Sequence, residues 1–474
     1  MKRKKKGRER DRQPLVRSSL ERFVYDTERS EGGVTALAGL PLAIQAFHAF
    51  GLAKACKREL RLKARQRGPT EAEWVELLTI LQMAGGTSLE DLKIFKQDDG
   101  LARLWDLPSR TSPRSALDFL ERFDDPTAPR SERGRAVITP ESSALRALGR
   151  VNRDLIAEVQ RRRPQAVATL DVDASIHPCD KKEALRAYEH GRGYQPVVVL
   201  WKEQDLIVHD QFRDGNVPAG MGNLGVIEGA LESLPEGITK IRLRADSALY
   251  EHKLLRALDR RQIEFAVSAD MTRELYAEVA ALEEKDWQPL RARTGQAREE
   301  RSWAEVAFVP EELEAKKGER PFRYFVIRLP PRLQQLDLFE EPPVKYVAVV
   351  TNRDLPGDEL IHWHREKCGT IEKTHDRLKH DVGARLFPSG KFGVNAAWYR
   401  LAVLALNLFS AMTHLVLPEA WRGERLPTAR FRFIARGARV VRHARRYVLV
   451  LSHLALGLLD GYLEAHRALA ALTG

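Results

Sequence analysis

Ala168-Thr169-Leu170-Asp171-Val172-Asp173-Ala174-Ser175 is an apolar run from which carboxylates emerge, and it reads as a buried strand. Asp171 and Asp173 are two residues apart, so on a strand they share a face. A second stretch, Ile241-Arg242-Leu243-Arg244-Ala245-Asp246-Ser247, alternates apolar and basic residues and ends on Asp246. A helical pattern follows it. Further along, Glu372 falls within a long helical stretch, with Lys379 two turns later on the same face. Two strand-borne aspartates and one helix-borne glutamate supply the hard oxygen ligands that two Mg²⁺ ions require. A metal pair of that kind activates a water or a 3′-hydroxyl and stabilises the leaving oxygen of a phosphodiester.

Around these acids the chain changes texture. Residues 35–163 carry helical periodicity throughout. Pro41 starts one helix and Gly51 ends it, and Thr87 with Glu90 is expected to form a capping box. From residue 165 the pattern turns to strands at 167–172, 194–201, 206–212, 241–245 and 263–266, with helices at 225–233 and 252–260. Three strands, a helix, a strand and another helix predict a mixed α/β sheet in which Asp173 and Asp246 end neighbouring strands, where such sheets expose functional groups. Between Asp246 and Glu372 lie 125 residues, more than one crossover needs, with further strands expected at 303–309, 322–329 and 345–351. Arg430-Phe431-Arg432-Phe433 reads as a strand with arginines on one face and aromatics on the other.

Length and charge narrow the class. At 474 residues the chain calls for more than one core. Cys56, Cys179 and Cys368 are too scattered for a disulfide framework or a zinc cluster, so a reduced compartment is expected. The net charge of +12 sits at the two ends: residues 1–12 carry +6 and residues 421–474 carry +7, leaving the rest near −1. Charge so placed suits contact with a polyanion. Stretches 396–417 and 447–459 are apolar but are interrupted or short, and both read as core, not as membrane spans. No secretory signal opens the chain. His177, His190, His362, His364, His375 and His380 match no standard zinc spacing and are expected to be solvated or hydrogen-bonded.

Four stretches in order carry a family likeness: 170–175 with 188–196; 244–250 with 265–270; Ile371-Glu372-Lys373 through Leu378-Lys379-His380-Asp381; and 388–398. With these, the chain resembles bacterial insertion-sequence transposases of the DDE type, over roughly residues 15–455. The resemblance implies an RNase H-like mixed sheet flanked by helices, an N-terminal all-helical domain and a β-rich insertion before the catalytic Glu. On that basis residues 1–30 are a basic mobile tail and 31–164 a helical DNA-binding domain. The catalytic core spans 165–275 and 356–420, interrupted by the insertion at 276–355, and 421–474 is an Arg-rich terminal segment. Asp173, Asp246 and Glu372 are the implied catalytic acids and metal ligands, for two Mg²⁺ ions with Mn²⁺ able to substitute. Asp173 is preferred over Asp171 because Asp-Ala-Ser matches the family's Asp-x-Ser/Thr step.

Lys379, Arg430, Arg432, Arg439 and Arg442 are the expected DNA-contacting residues. Many relatives also carry a Tyr seven and an Arg four residues before the Glu. Here those positions hold Arg365 and Cys368, so these two roles stay unassigned. The implied activity is cleavage at transposon ends and strand transfer into target DNA. The expected partners are double-stranded DNA, as terminal inverted repeats and target, and a second copy of the chain on the DNA ends. The expected location is the bacterial cytoplasm, at the nucleoid. Two rival readings are a stand-alone nuclease on the same core and a transposase-derived DNA-binding protein that no longer cuts.

Overall fold

The apolar run at 167–174 becomes β1 (Val167–Ala174), an interior strand of one large sheet. The other strands are β2 (Val197–Trp201), β3 (Leu206–Gln211), β4 (Lys240–Ala245), β5 (Glu264–Ala269), β6 (Gln288–Pro289), β7 (Ser302–Val306), β8 (Arg323–Leu329) and β9 (Lys345–Thr351). They run in the order β6-β7-β8-β9-β5-β4-β1-β2-β3. The structure is a computed structural model and describes residues 32–63, 68–105, 111–188, 191–291, 301–310, 313, 320–329, 344–444, 446–452 and 457–473. The basic stretch 1–30, Glu189, His190, Arg445 and His453 lie outside the described residues.

β1, β2 and β3 pair antiparallel, whereas β4 pairs parallel with β1 and β5 parallel with β4. The parallel steps need crossovers, and the helices Asn223–Ser233 and His252–Arg260 supply them. This is the mixed sheet flanked by helices that the sequence predicts. The strands expected before Glu372 do not make a small sheet of their own. β9 pairs antiparallel with β5, and β8, β7 and β6 extend the same sheet outward. Trp303 is buried there against Phe325, and Trp287 stacks on Tyr346 with Arg328 over its ring.

The helix Phe392–Leu415 is long and apolar enough to cross a membrane by length and composition, yet it is buried inside the protein. It packs between β3 and the helices Glu71–Met83 and Ser143–Arg162. Its buried charged and amide side chains are matched, although Trp398 Nε1 and the Tyr399 hydroxyl have no hydrogen-bond partner among the described residues. Arg400 pairs with Asp210 and Glu141, and Asn407 bonds Asn152 and both backbone groups of Ile207. Buried polar groups of this kind persist because each has its partner. The front helices therefore join the same hydrophobic core as the sheet. Gly51 sits at φ +77 between the helices Leu40–Ala49 and Leu52–Glu59, a left-handed turn that suits glycine. The capping box lies one residue later than read: Ser88 and Asp91 form it, not Thr87 and Glu90.

Arg430-Phe431-Arg432-Phe433 is not a strand. Arg430–Ile434 is a π-helical turn, wound because Phe433 stacks flat on Trp421 (4.4 Å between ring centres) while Ile434 is also buried. Arg430 turns inward: its guanidinium donates to the carbonyls of Met83 (2.7 Å), Gln82 (3.0 Å) and Asp381. Those bonds engage three of its five N–H donors in the fold, so Arg430 serves as a structural tie between the terminal segment and the front helices. Arg432 is exposed and pairs with Glu424. Arg439 and Arg442 are exposed on the strand Ala438–His443, three residues apart and so on opposite faces of a hairpin completed by Arg446–Leu451.

Candidate active site

Strand register sets the geometry. In the parallel pair β1–β4, Asp171 lies opposite Arg244 and Val172 opposite Ala245. The next residue of each strand, Asp173 and Asp246, therefore leaves the sheet beside the other. Asp246 follows β4 directly and accepts a hydrogen bond from the Ala248 amide (3.1 Å), capping a short 3₁₀ turn. Asp173 accepts from the Ala174 amide (3.0 Å). The two carboxyl groups are close enough to act on one another. Burial pushes the Asp173 carboxyl up to about 6; the Lys367 ammonium opposes this and the Asp246 charge adds to it.

Asp171, on the same face, has a different partner. Arg244 clamps it through two parallel bonds of 2.7 and 2.9 Å, and both side chains are fully buried. The same guanidinium donates to the Trp363 carbonyl (2.7 Å) and to Glu366 (3.0 Å), while Thr370 donates its hydroxyl to Asp171. Arg244 thus neutralises Asp171, not Asp246. The network ties the sheet to the helix Gly357–Arg365 and to the 3₁₀ turn Glu366–Gly369, the segment that leads into Glu372.

Glu372 stands in the first turn of a ten-residue helix, Ile371–His380, shorter than the stretch the sequence suggested. It is exposed and lies beside Cys368. From the same helix, His375 approaches Asp173 (3.8 Å) and Lys379 donates to Ser175 Oγ (2.5 Å). The structure therefore brings Asp173, Asp246, His375, Lys367 and Lys379 together, while Glu372 stands one helical turn before His375. Among the described residues no group of three His, Cys, Asp or Glu side chains is already arranged around a metal position. Asp173 and Asp246 nevertheless fit a divalent cation: two hard oxygen donors are pressed together, and a cation between them relieves their repulsion.

His362, His364 and His380 are hydrogen-bonded as expected, but two histidines depart from expectation. His177 and His375 are buried, and none of their ring nitrogens has a hydrogen-bond partner among the described residues. Burial, with Lys379 nearby, pushes His375 down to about 3 and His177 well below its ordinary value. His364 is buried as well but bonds the Ala245 carbonyl (3.0 Å), next to Asp246. A signal was present for His375 alone, three residues after Glu372 and so on the same side of its helix.

The family described as "Transposase DDE domain group 1" matches residues 30–467. Among solved structures, the piggyBac transposase synaptic complex with hairpin DNA is similar over 85% of this chain and 82% of that one. Its sequence identity is 11% and its TM-score 0.41. No curated protein matches the chain.

Proposed function

The chain belongs to the transposase DDE domain family, and from that premise we propose that it cleaves DNA at the ends of a bacterial insertion sequence and joins those ends to target DNA. The observation that carries this reading is the parallel register of β1 and β4, which sets the Asp173 and Asp246 carboxyls against each other at two adjacent strand ends. In this reading Asp173, Asp246 and Glu372 hold two Mg²⁺ ions, or Mn²⁺ in their place. Bound there, the ions supply activation of the attacking oxygen and stabilisation of the departing 3′-oxygen.

The chain's own residues do the rest. Ser175 and Lys379 present a hydroxyl and an ammonium beside Asp173, where a phosphate of the bound strand would lie. Arg432, Arg439 and Arg442 contact the backbone further out. Asp171 and Arg244 keep the segment before Glu372 seated on the sheet. The protein acts as a homodimer on two inverted repeats, at the bacterial nucleoid. The direct test incubates the protein, Mg²⁺ and a plasmid carrying the gene's own flanking DNA. Free ends and joined products support the reading; intact plasmid with bound protein favours a non-cutting DNA-binding protein instead.

Two expectations follow from charge. Lys379→Ala should cut weakly and at scattered positions, while Lys379→Arg keeps partial function, because a charge without fork geometry suffices there. A hydrogen bond to a charged group contributes roughly 1.5–3 kcal/mol, so the alanine variant should lose about 10–100-fold in rate on end-labelled DNA. Normal rate and position would remove Lys379 from this role. Separately, affinity for DNA should fall with salt at a log–log slope of roughly −0.9 per neutralised phosphate. Deleting residues 1–12 should flatten that slope without moving the cut; an unchanged slope means the stretch makes no contact.

A further inference from the structure

Lys367 is the cation nearest the paired carboxylates, and it is an unusual one. Its residue is only 6% exposed, its ammonium lies 3.9 Å from Asp173 Oδ1, and that ion pair is its sole polar contact among the described residues. Lysine is seldom so buried unless paired. Lys379 is half-open and hydrogen-bonded to Ser175, as suits a residue that meets substrate. Lys367 has no such opening and lies too deep to meet DNA.

The backbone that carries it is held in place. Its backbone carbonyl accepts both the amide and the hydroxyl of Thr370 (3.0 Å each). The turn carrying it is tied down by Arg244 to Glu366, by Arg244 to the Trp363 carbonyl and by Thr370 to Asp171. The other groups close by, His364 and His375, are buried and neutral. The carboxylate pair thus faces one fixed positive charge from behind.

We propose that Lys367 is a built-in counter-ion of Asp173 and Asp246, which holds metal affinity low in the free protein and so makes metal loading depend on bound DNA. The inference rests on the metal-site reading above. A fixed charge a few ångströms from the ligands repels a divalent cation at short range in a poorly screened site. DNA brings phosphate charge to the open side of the same site and offsets that repulsion. Metal and DNA then tighten each other's binding by the same factor, as linkage requires. A transposase so built stays metal-poor until an end is in place.

The test measures Mn²⁺ binding to the DNA-free full-length chain by the electron paramagnetic resonance signal of the free ion, at about pH 8, where ordinary carboxylates are ionised. Lys367→Met and Lys367→Gln should each bind Mn²⁺ about tenfold more tightly than the wild type, while Lys367→Arg stays within about threefold. Adding a duplex that carries the terminal sequence should tighten wild-type binding more than that of Lys367→Met. Circular dichroism verifies folding, and Lys367→Gln keeps a polar head should the methionine variant fail to fold. Equal or weaker Mn²⁺ binding by the folded neutral variants overturns the proposal. Asp173→Asn separates the two levels: if it binds Mn²⁺ as the wild type does, the metal-site reading itself fails. If it loses Mn²⁺ and the Lys367 variants are unchanged, only the counter-ion role fails.

Discussion

Asp173→Asn, Asp246→Asn and Glu372→Gln should each abolish strand cleavage while leaving DNA binding near wild type in a gel-shift assay. Metal ions contribute several kcal/mol to such a transition state, and each 1.36 kcal/mol is tenfold, so the loss should reach about a thousandfold or more. Stability should move the other way for Asp173. Its carboxyl is raised from 3.8 to about 6 in the folded chain. Between those values the folded state binds more protons than the unfolded state, so the metal-free wild type loses stability as pH rises through that window. Asp173→Asn removes this penalty, and its metal-free melting temperature above the window should match or exceed the wild type. Full cleavage by any of the three variants takes that residue out of the site. A marked drop in the melting temperature of Asp173→Asn would mean that Asp173 supports the fold instead.

What the sequence made legible was local. β1 and β4 were readable because interior strands show as short apolar runs or clear alternations, and both aspartates stand where those patterns stop. The choice between Asp171 and Asp173 was not readable in this way, since both share a face. The β1–β4 register that sets Arg244 opposite Asp171 is a non-local fact. The segment at 430–433 misled for a related reason. Its alternation of arginine and phenylalanine is compatible with a strand, but Trp421 and three backbone carbonyls decide its shape, and these lie elsewhere in the chain. The same holds for β7, β8 and β9. Their strand character was plain, but the pairing of β9 with β5, which makes them an extension of the central sheet, involves residues some eighty positions apart. That His177, His375 and Lys367 are buried stayed hidden, because burial of a polar residue has no local signature.

The Asp171–Arg244 pair should prove to be a matter of stability. Both side chains are fully buried, and Arg244 also holds Glu366 and the Trp363 carbonyl. Removing one partner of a buried pair leaves an uncompensated charge and costs roughly 3–5 kcal/mol, whereas replacing both by apolar groups of similar volume is often neutral. Asp171→Ala and Arg244→Met should therefore each shift the urea midpoint down strongly, and Asp171→Leu with Arg244→Met should recover much of the loss. Because the pair also seats the turn that precedes Glu372, folded Asp171→Ala protein at low temperature should still cut, but slowly. This pattern is opposite to that expected of Asp173→Asn, which keeps its fold and loses its chemistry. If Asp171→Ala melts like the wild type and is dead while Asp173→Asn cuts, the two aspartates have exchanged roles, and Asp171 is the acid that faces DNA.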